Sequence, residues 1–313
     1  MRTPLVAPAP VQARALASGP LGQEWLADLD RIVQEWATRW ELTIGRALAG
    51  GTEAFVVEAT TGSGRAAILK LYPPGADARA EIQALRDASG PAYVEVLAAD
   101  GGGRAALLER LGPPLADLGL SADDQLAALC ETVQEAWCAV PPSHPYPSGA
   151  DKAQSLSAFI EDTWRKLASP CSARVIETAG RYLDERRRAY DARAAVLAHG
   201  DPHPWNALLV PDSEPSRFKL IDPDPVVVEP AHDLGILMRE WTDELLAGDA
   251  LALGVERCRR LARRTGIAPR AVWQWGFAER TSTALLCLDL GLEGAREMLA
   301  VAERWCAASA DAV

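Results

Sequence analysis

The sequence predicts an α+β protein with two lobes, a small antiparallel-sheet lobe followed by a larger, mostly helical lobe. With 313 residues, 49% of them hydrophobic, the chain is long enough for two units with cores of their own. Short apolar, partly β-branched runs surround one helical period in the first third, and helical periods fill most of the rest. We expect a loose segment at 1–21, the sheet lobe at 22–110 and the helical lobe at 111–313.

The first lobe begins with a helical period and continues with strand-like runs. Apolar residues recur at helical spacing from Trp25 to Trp40, which predicts an amphipathic helix. Runs with strand, strand, helix, strand and strand character follow at 53–59, 65–71, 77–89, 93–99 and 105–111. Glycine-containing turns separate the strands of each pair, so both pairs are predicted to be antiparallel hairpins.

The second lobe is predicted from helical periods that one hairpin interrupts. Ser121 is a favourable N-cap for a helix that runs to about Ala139. Further helical periods cover 152–168, 172–195, 231–247, 250–265 and 270–310. Between them, the apolar runs 207–210 and 218–221 are joined by a turn-rich segment, which is typical of a hairpin.

Composition narrows the classes of partner. There are 32 basic and 43 acidic residues, and the net charge of −11 argues against nucleic acid or an anionic membrane and permits a cationic ligand. Six cysteines without a CxxC pair indicate buried thiols rather than a disulfide or zinc framework. No signal-peptide core or membrane-spanning run is present, so we expect a cytoplasmic monomer or homodimer.

Acidic and amide side chains stand at the ends of the predicted hairpin of the second lobe. Asp201 and Asn206 precede its first strand, and Asp222 follows its second strand. A hairpin brings these positions together, and their oxygen atoms are ligands that suit Mg²⁺. Protein kinases place a catalytic Asp, a metal-binding Asn five residues later and a second metal-binding Asp after a hairpin in this order. The spacing therefore favours phosphoryl transfer.

A kinase site of this kind also requires a lysine for the nucleotide phosphates and an acidic partner on the following helix. Of the four lysines in the chain, only Lys70 lies in the first lobe, near the end of a predicted strand. Glu81 lies in the predicted helix that follows. Gly50 and Gly51 are the one place before these strands where backbone could approach phosphate, and no G-x-G-x-x-G or P-loop motif is present.

Two motifs resemble a known family. HGDPHPWN at 199–206 and LIDPDPVVVEPAHDL at 220–234 resemble the H-G-D-x-H-x-x-N and I-D signatures of aminoglycoside phosphotransferases and related small-molecule kinases of the protein-kinase-like fold. Further stretches resemble the streptomycin 6-phosphotransferase branch of that family, namely AAILKLYPP, EIQALR, VEVLAADGGGRAALLERL and HPYPSGAD. The resemblance covers most of residues 24–241. Pro202 departs from the family, which commonly has Leu there.

The resemblance implies a bilobal protein-kinase-like fold that uses ATP and Mg²⁺. It implies that Asp201 is the catalytic base, that Asn206 and Asp222 bind the metal, and that Lys70 with Glu81 holds the α- and β-phosphates. The backbone near Glu109 to Leu111 would contact adenine.

Carboxylates pair well with guanidinium groups, so the candidates for binding a cationic substrate are Asp201, Asp224, Glu229 and Glu240. Residues interpreted as structural support for the catalytic loop are His199, His203 and Asp233. The leading hypothesis is transfer of the γ-phosphoryl group to a hydroxyl of a streptomycin-like aminoglycoside, which inactivates the antibiotic.

Three alternatives stay open at this point. A kinase of the same fold could act on another small hydroxylated metabolite or antibiotic, for which an acidic substrate pocket would be unnecessary. His199, Asp201 and His203 form an HxDxH pattern that a metal-dependent hydrolase could use, which bound zinc would reveal. A nucleotide-binding protein without turnover would be stabilised by ATP and would form no product.

Overall fold

The computed structural model describes residues 5–49, 53–88 and 90–308. Two compact units are present. One comprises the chain up to Gly112 apart from residues 90–92, and the other comprises residues 90–92 and the chain from Pro113 onward. The first holds a small antiparallel sheet and the second is mostly helical, so the predicted fold class is confirmed. Among the described residues, no helix is long and apolar enough to cross a membrane.

The first unit is a five-stranded sheet. Three helices precede it in the chain, and a fourth helix lies between its third and fourth strands. Its elements are α1 (Ala9–Leu16), α2 (Pro20–Ala27), α3 (Leu29–Arg39), β1 (Leu42–Ala47), β2 (Phe55–Thr61), β3 (Ala66–Leu71), α4 (Arg79–Asp87), β4 (Val96–Ala99) and β5 (Ala105–Glu109). The strand order is β1-β2-β3-β5-β4, and every neighbouring pair is antiparallel. This order places β3 at the centre of the sheet.

Apolar side chains of α1 to α3 pack on one face of this sheet. Trp25, Leu29 and Val33 belong to the same buried cluster as Phe55 and Leu69 of the strands. Burial in β2 alternates along most of the strand, as expected when one face of a sheet is covered. The helices therefore supply the apolar cover that a small sheet needs for stability.

Three details of the first unit differ from the sequence prediction. The segment expected to be loose contains α1, because Val11 and Ala15 are buried against the sheet core and Pro residues begin the helix. The helix predicted from Trp25 to Trp40 is interrupted at Asp28, between α2 and α3. Strand β1 was not predicted, because the side chains of this edge strand are only partly buried or exposed and form no strongly apolar run.

The second unit contains eight α-helices and two small strand pairs among the described residues. Its elements are a short 3₁₀ helix (Leu115–Asp117), α5 (Ala122–Ala136), α6 (Gly149–Lys166), α7 (Ala173–Ala189), β6 (Val196–Ala198), β7 (Ala207–Leu209), β8 (Phe218–Leu220), β9 (Val226–Val228), α8 (Ala231–Arg239), α9 (Thr242–Ala247), α10 (Ala250–Thr265), α11 (Pro269–Asp289) and α12 (Ala295–Trp305). Strands β7 and β8 form the predicted hairpin, and β6 pairs with β9.

Local sequence determines where these helices begin. The Ser121 hydroxyl accepts the backbone N–H of Asp124, which confirms the predicted N-cap of α5. Ser148 and Asp151 form a reciprocal capping box at the start of α6.

Helix α11 contacts α6, α7, α8, α10 and α12, and most of its residues are buried. The second unit is therefore organised around α11.

Candidate active site

Lys70 is a buried charge on the central strand of the sheet. It lies in β3, pairs with Val56 of β2 and Ala106 of β5, and is 5% exposed. Its Nζ donates a hydrogen bond to Oε1 of Glu81 at 2.7 Å, and the Tyr72 hydroxyl donates to the same oxygen at 2.9 Å. A buried ammonium group is costly unless it is paired, so Glu81 on α4 stabilises the lysine in one position. This contact joins the two residues that the sequence predicted as a pair.

The other residues predicted to contact the nucleotide lie at or just after the end of β5, or outside the residues that the structure describes. Glu109 ends β5, and its N–H donates to the carbonyl of Glu95 at 2.9 Å while its carboxylate accepts the Glu95 N–H at 2.8 Å. Leu111 follows two residues later and is half-buried. Gly50 and Gly51 lie outside the described residues. Contact of these four residues with a nucleotide stays a prediction.

The hairpin of the second unit brings the predicted catalytic and metal-binding residues to one end. Ala207 of β7 pairs with Leu220 of β8, and the N–H of Ile221 donates to the carbonyl of Asn206 at 2.9 Å. The Asn206 amide nitrogen donates to the carbonyl of Asp201 at 3.1 Å. Asp222 follows Ile221 directly. The predicted hairpin thus places Asp201, Asn206 and Asp222 in one small region.

The chemistry of these side chains fits a Mg²⁺ ion. Because the Asn206 nitrogen is used by the Asp201 carbonyl, the amide oxygen is the atom that remains for a metal. Mg²⁺ in kinases takes one or two protein oxygen ligands and completes its shell with phosphate oxygens and water. Asn206 and Asp222 match that donor set. No cluster of three or more His, Cys, Asp or Glu arranged to hold a metal occurs within the described part of the chain.

The backbone of the catalytic loop is fastened by Asp233, a fully buried carboxylate at the start of α8. Asp233 accepts the backbone N–H of His199 at 3.1 Å, that of Gly200 at 2.9 Å and the indole N–H of Trp137 at 3.0 Å. Burial by itself would raise the pKa of Asp233, but the histidines 232 and 199 and the hydrogen bonds hold the pKa below its ordinary value. The loop is therefore held by an ionised acceptor.

The loop also depends on a glycine and on a neutral histidine. Gly200 has φ +86°, and a Cβ at this position would lie 1.7 Å from the carbonyl oxygen of Asp224. The N–H of Asp201 donates to Nδ1 of His199, whose Nε2 lies 2.9 Å from the carbonyl of Ile221. These partners assign the proton of His199 to Nε2, and burial lowers its pKa, which favours the neutral ring. His199 thus links the loop to the segment that carries Asp222.

An arginine that the sequence interpretation did not include contacts the predicted catalytic base. Arg239, at the end of α8, donates from Nη2 to Oδ1 of Asp201 at 2.6 Å. Nε2 of His203 lies 3.4 Å from the other carboxylate oxygen. Burial by itself would raise the pKa of Asp201, but Arg239 and His203 outweigh burial and hold the pKa well below its ordinary value. Asp201 is therefore ionised at neutral pH and oriented from two sides.

The three carboxylates that were predicted, together with Asp201, to bind a cationic substrate already have cationic partners within the protein. Asp224 pairs with Lys152 at 2.9 Å, and Glu229 pairs with Arg186 at 3.2 Å. Glu240 accepts Nε of Arg239 at 2.9 Å. The structure thus places each candidate beside a positive charge, whereas the sequence interpretation treated them as open to a ligand.

Two cations near Asp201 were missed for different reasons. Arginine is very common in this chain, and nothing in the spacing of Arg239 distinguishes it from the other arginines as a partner of Asp201. Lys152 belongs to a set of only four lysines, and that scarcity was a usable signal. Burial by itself would lower the pKa of Lys152, but Glu279, Asp224 and Asp201 raise it above its ordinary value. Lys152 therefore carries its charge in the surroundings of Asp201.

Comparison with known proteins places this geometry in a family. The model of the phosphotransferase enzyme family matches residues 44–269, which include Lys70, Glu81 and the whole catalytic loop. The chain belongs to this family. The sequence is 28% identical to a streptomycin 6-kinase of Streptomyces glaucescens, and the match covers 91% of each chain. The aminoglycoside phosphotransferase resemblance of the motifs is thereby confirmed.

Two further relatives differ in what their names say they act on. A hydroxyurea phosphotransferase of Kitasatospora aureofaciens is 30% identical, over 84% of this chain and 78% of that protein. An aminoglycoside phosphotransferase of Streptomyces rimosus, solved with ADP and streptomycin, is 17% identical with a TM-score of 0.53, over 82% of this chain and 98% of that one. The phosphotransferase is thus a small-molecule kinase with antibiotic kinases among its relatives.

Proposed function

We propose that this phosphotransferase uses ATP and Mg²⁺ in the cytoplasm to phosphorylate a hydroxyl group of a small antibiotic, with a streptomycin-like aminoglycoside as the leading acceptor. The observation that carries the proposal is the catalytic loop, in which Asp201, Asn206 and Asp222 lie at one end of the β7–β8 hairpin. The Lys70–Glu81 pair and the streptomycin 6-kinase relative support it. Phosphorylation adds negative charge to an antibiotic that is recognised through its positive charge, and so inactivates it.

The reaction assigns a role to each of these side chains. The acceptor oxygen attacks the γ-phosphorus, the bond from that phosphorus to the β,γ-bridging oxygen breaks, and ADP leaves. Asp201 orients the acceptor hydroxyl and receives its proton late, because the transition state of phosphoryl transfer is loose. Lys70 binds α- and β-phosphate oxygens as a point charge that Glu81 keeps in place. Asn206 and Asp222 would hold Mg²⁺, which neutralises charge on the phosphates.

The low pKa of Asp201 makes orientation more important than basicity. A carboxylate held below its ordinary pKa by Arg239 and His203 is a weak proton acceptor at neutral pH. Correct placement of hydroxyl and γ-phosphoryl group supplies a large part of the rate enhancement in phosphoryl transfer. Asp201 therefore contributes chiefly through position.

A second candidate acceptor is a neutral hydroxylated molecule such as hydroxyurea. The pairing of Asp224, Glu229 and Glu240 with internal cations favours it, because these carboxylates are then not needed for a substrate cation. The hydroxyurea phosphotransferase relative gives the same candidate. Both acceptors require the same transfer chemistry.

One experiment tests both candidates. The protein is incubated with ATP and Mg²⁺ and with streptomycin, a second aminoglycoside, hydroxyurea or a neutral sugar, and products are read by mass. We expect the gain of one phosphoryl group on streptomycin or hydroxyurea, with Mg²⁺ required and with loss of product in Asp201→Asn. Equal product formation by a folded Asp201→Asn protein, or by the wild type after removal of divalent metal, would contradict the proposal.

A further inference from the structure

The guanidinium of Arg239 is held at the predicted catalytic base by three side chains. Nη2 donates to Oδ1 of Asp201 at 2.6 Å, Nε donates to Oε1 of Glu240 at 2.9 Å, and Nη1 donates to the hydroxyl of Thr283 at 3.3 Å. Only 11% of the Arg239 side chain is exposed, against 35% for Asp201. The arginine is thus a fixed part of the protein, while the carboxylate it contacts remains partly open.

Arg239 contacts Oδ1 of Asp201, and Nε2 of His203 lies 3.4 Å from the other carboxylate oxygen. One guanidinium group can pair closely with a carboxylate oxygen. A second cation at the same oxygen would be repelled by the first, because the two positive charges would lie a short distance apart. Lys152, whose pKa is raised in part by Asp201, adds a further positive charge in the same surroundings. Two cations of the protein therefore lie near the base before any acceptor binds.

We propose that Arg239 is a positioning and specificity-determining residue, because its guanidinium holds Oδ1 of Asp201 and fills the place where a cationic group of an acceptor would pair with that carboxylate. This inference rests on the proposed kinase activity and sharpens the acceptor class. The reacting hydroxyl carries no positive charge immediately beside it. A streptomycin-like acceptor then has to bind with its guanidinium groups away from Asp201, and a neutral acceptor meets no such restriction.

Whether Arg239 keeps a cation from binding at Asp201 can be measured without any acceptor. Saturation-transfer NMR on the methyl protons of methylguanidinium, at constant ionic strength, reports whether this cation binds the full-length chain. We expect Arg239→Ala to bind methylguanidinium about ten-fold or more tightly than the wild type, since the wild type would bring two like charges together. The binding gained in Arg239→Ala should disappear in the double variant Arg239→Ala with Asp201→Asn.

Two matched variants distinguish a specific site from a general charge effect. Arg239→Lys keeps the positive charge and should bind methylguanidinium no better than the wild type. Arg187→Ala removes an exposed arginine of α7 that pairs with Asp184, and it should also bind like the wild type. If Arg239→Ala does not fold, Arg239→Met replaces it, because methionine keeps the apolar part of the side chain and removes the charge and the donors that hold Asp201.

The proposal is overturned if Arg239→Ala or its substitute gains no methylguanidinium, or if the gained binding persists without the Asp201 carboxylate. A transfer assay adds a readout that a purely structural role would not move. With an acceptor that the wild type phosphorylates, Arg239→Lys should lower kcat about ten-fold or more and leave KM for ATP within about two-fold. If the wild type phosphorylates no member of the panel, the proposed acceptor is wrong, and the methylguanidinium result still decides the role of Arg239.

Discussion

The two units each contain a partly buried acid–base pair, and the roles of the acid and the base are reversed between them. In the sheet unit the cation Lys70 is the predicted ligand-binding group, and the carboxylate of Glu81 holds it at 2.7 Å. In the helical unit the carboxylate of Asp201 is the predicted reactive group, and the cation Arg239 holds it at 2.6 Å. The same kind of contact therefore positions a cation in one unit and a carboxylate in the other.

Exposure and sequence distance distinguish the pairs. The Lys70 side chain is 6% exposed, whereas Asp201 is 35% exposed and can meet a hydroxyl while Arg239 stays in place. Lys70 and Glu81 lie 11 residues apart, and Asp201 and Arg239 lie 38 residues apart. The first pair is the more local one and was the easier to predict.

Asp201→Asn is expected to have the largest effect, because the reactive member of a pair carries the chemistry. Loss of the carboxylate should lower transfer about 10²-fold to 10⁴-fold, the usual range for a general base. Product is quantified by mass at saturating ATP and acceptor. The control is Asp212→Asn, an exposed residue in the turn of the same hairpin, which should keep full activity. A loss below about ten-fold would mean that Asp201 is not the reactive member.

Lys70→Met should have the next largest effect. Methionine has a similar shape but no charge, so the phosphates lose a point charge, and kcat/KM for ATP should fall about 10²-fold. Thermal unfolding checks the fold, since Glu81 is left without its cation. Lys166→Met, at a mostly exposed position of α6, is the matched control and should change neither quantity. Unchanged ATP dependence in a folded Lys70→Met protein would remove the lysine from the nucleotide site.

Glu81→Gln tests the supporting member of the sheet pair and should have a smaller effect. Glutamine still accepts a hydrogen bond from Lys70 but does not fix its charge, so we expect kcat/KM for ATP to fall about ten-fold. Glu24→Gln, on the exposed side of α2, serves as control. An effect as large as that of Lys70→Met would mean that the two residues act as one unit, as expected for a coupled pair.

His232 and Glu279 form a third acid–base pair, in which Nε2 of His232 lies 3.1 Å from Oε1 of Glu279 and both side chains are buried. Burial by itself would lower the pKa of His232, but Asp233 and Glu279 outweigh burial and raise the pKa above its ordinary value. A raised pKa contributes stability that is fully present below about pH 6.5 and is lost as pH rises through the folded-state pKa. The difference in Tm between wild type and His232→Gln should therefore be larger at about pH 6 than at about pH 9. A difference that grows with pH would contradict this sign.

The sequence predicted those parts of the fold and site that depend on local pattern. The β2–β3 hairpin, the β7–β8 hairpin and the Ser121 cap follow from alternation, turn residues and capping chemistry. The order of Lys70, Glu81, Asp201, Asn206 and Asp222 follows from the spacing that phosphoryl transfer requires. Strand β1 and helix α1 were missed, because weakly patterned segments gain order from the tertiary core they pack against.

Partners of charged residues were the part that the sequence did not reveal. Asp224, Glu229 and Glu240 looked like free acceptors for a substrate cation, and each is neutralised by Lys152, Arg186 or Arg239. A charge pattern along the chain gives the number of carboxylates and does not give which cation folds against them. The cation that lies beside each carboxylate therefore becomes visible only in the structure.

The tight approach of Gly200 to the Asp224 carbonyl sets a limit on how this enzyme can be altered by selection. In a saturation library screened for phosphotransfer, codon 200 is expected to return glycine alone, since any Cβ would overlap a backbone oxygen 1.7 Å away. Gly64 also has positive φ, at +84°, but no atom lies within 4 Å of its Cβ position, so asparagine and aspartate should survive there. The two glycines have nearly the same φ and differ in the space around the missing Cβ, and that space decides which substitutions they tolerate.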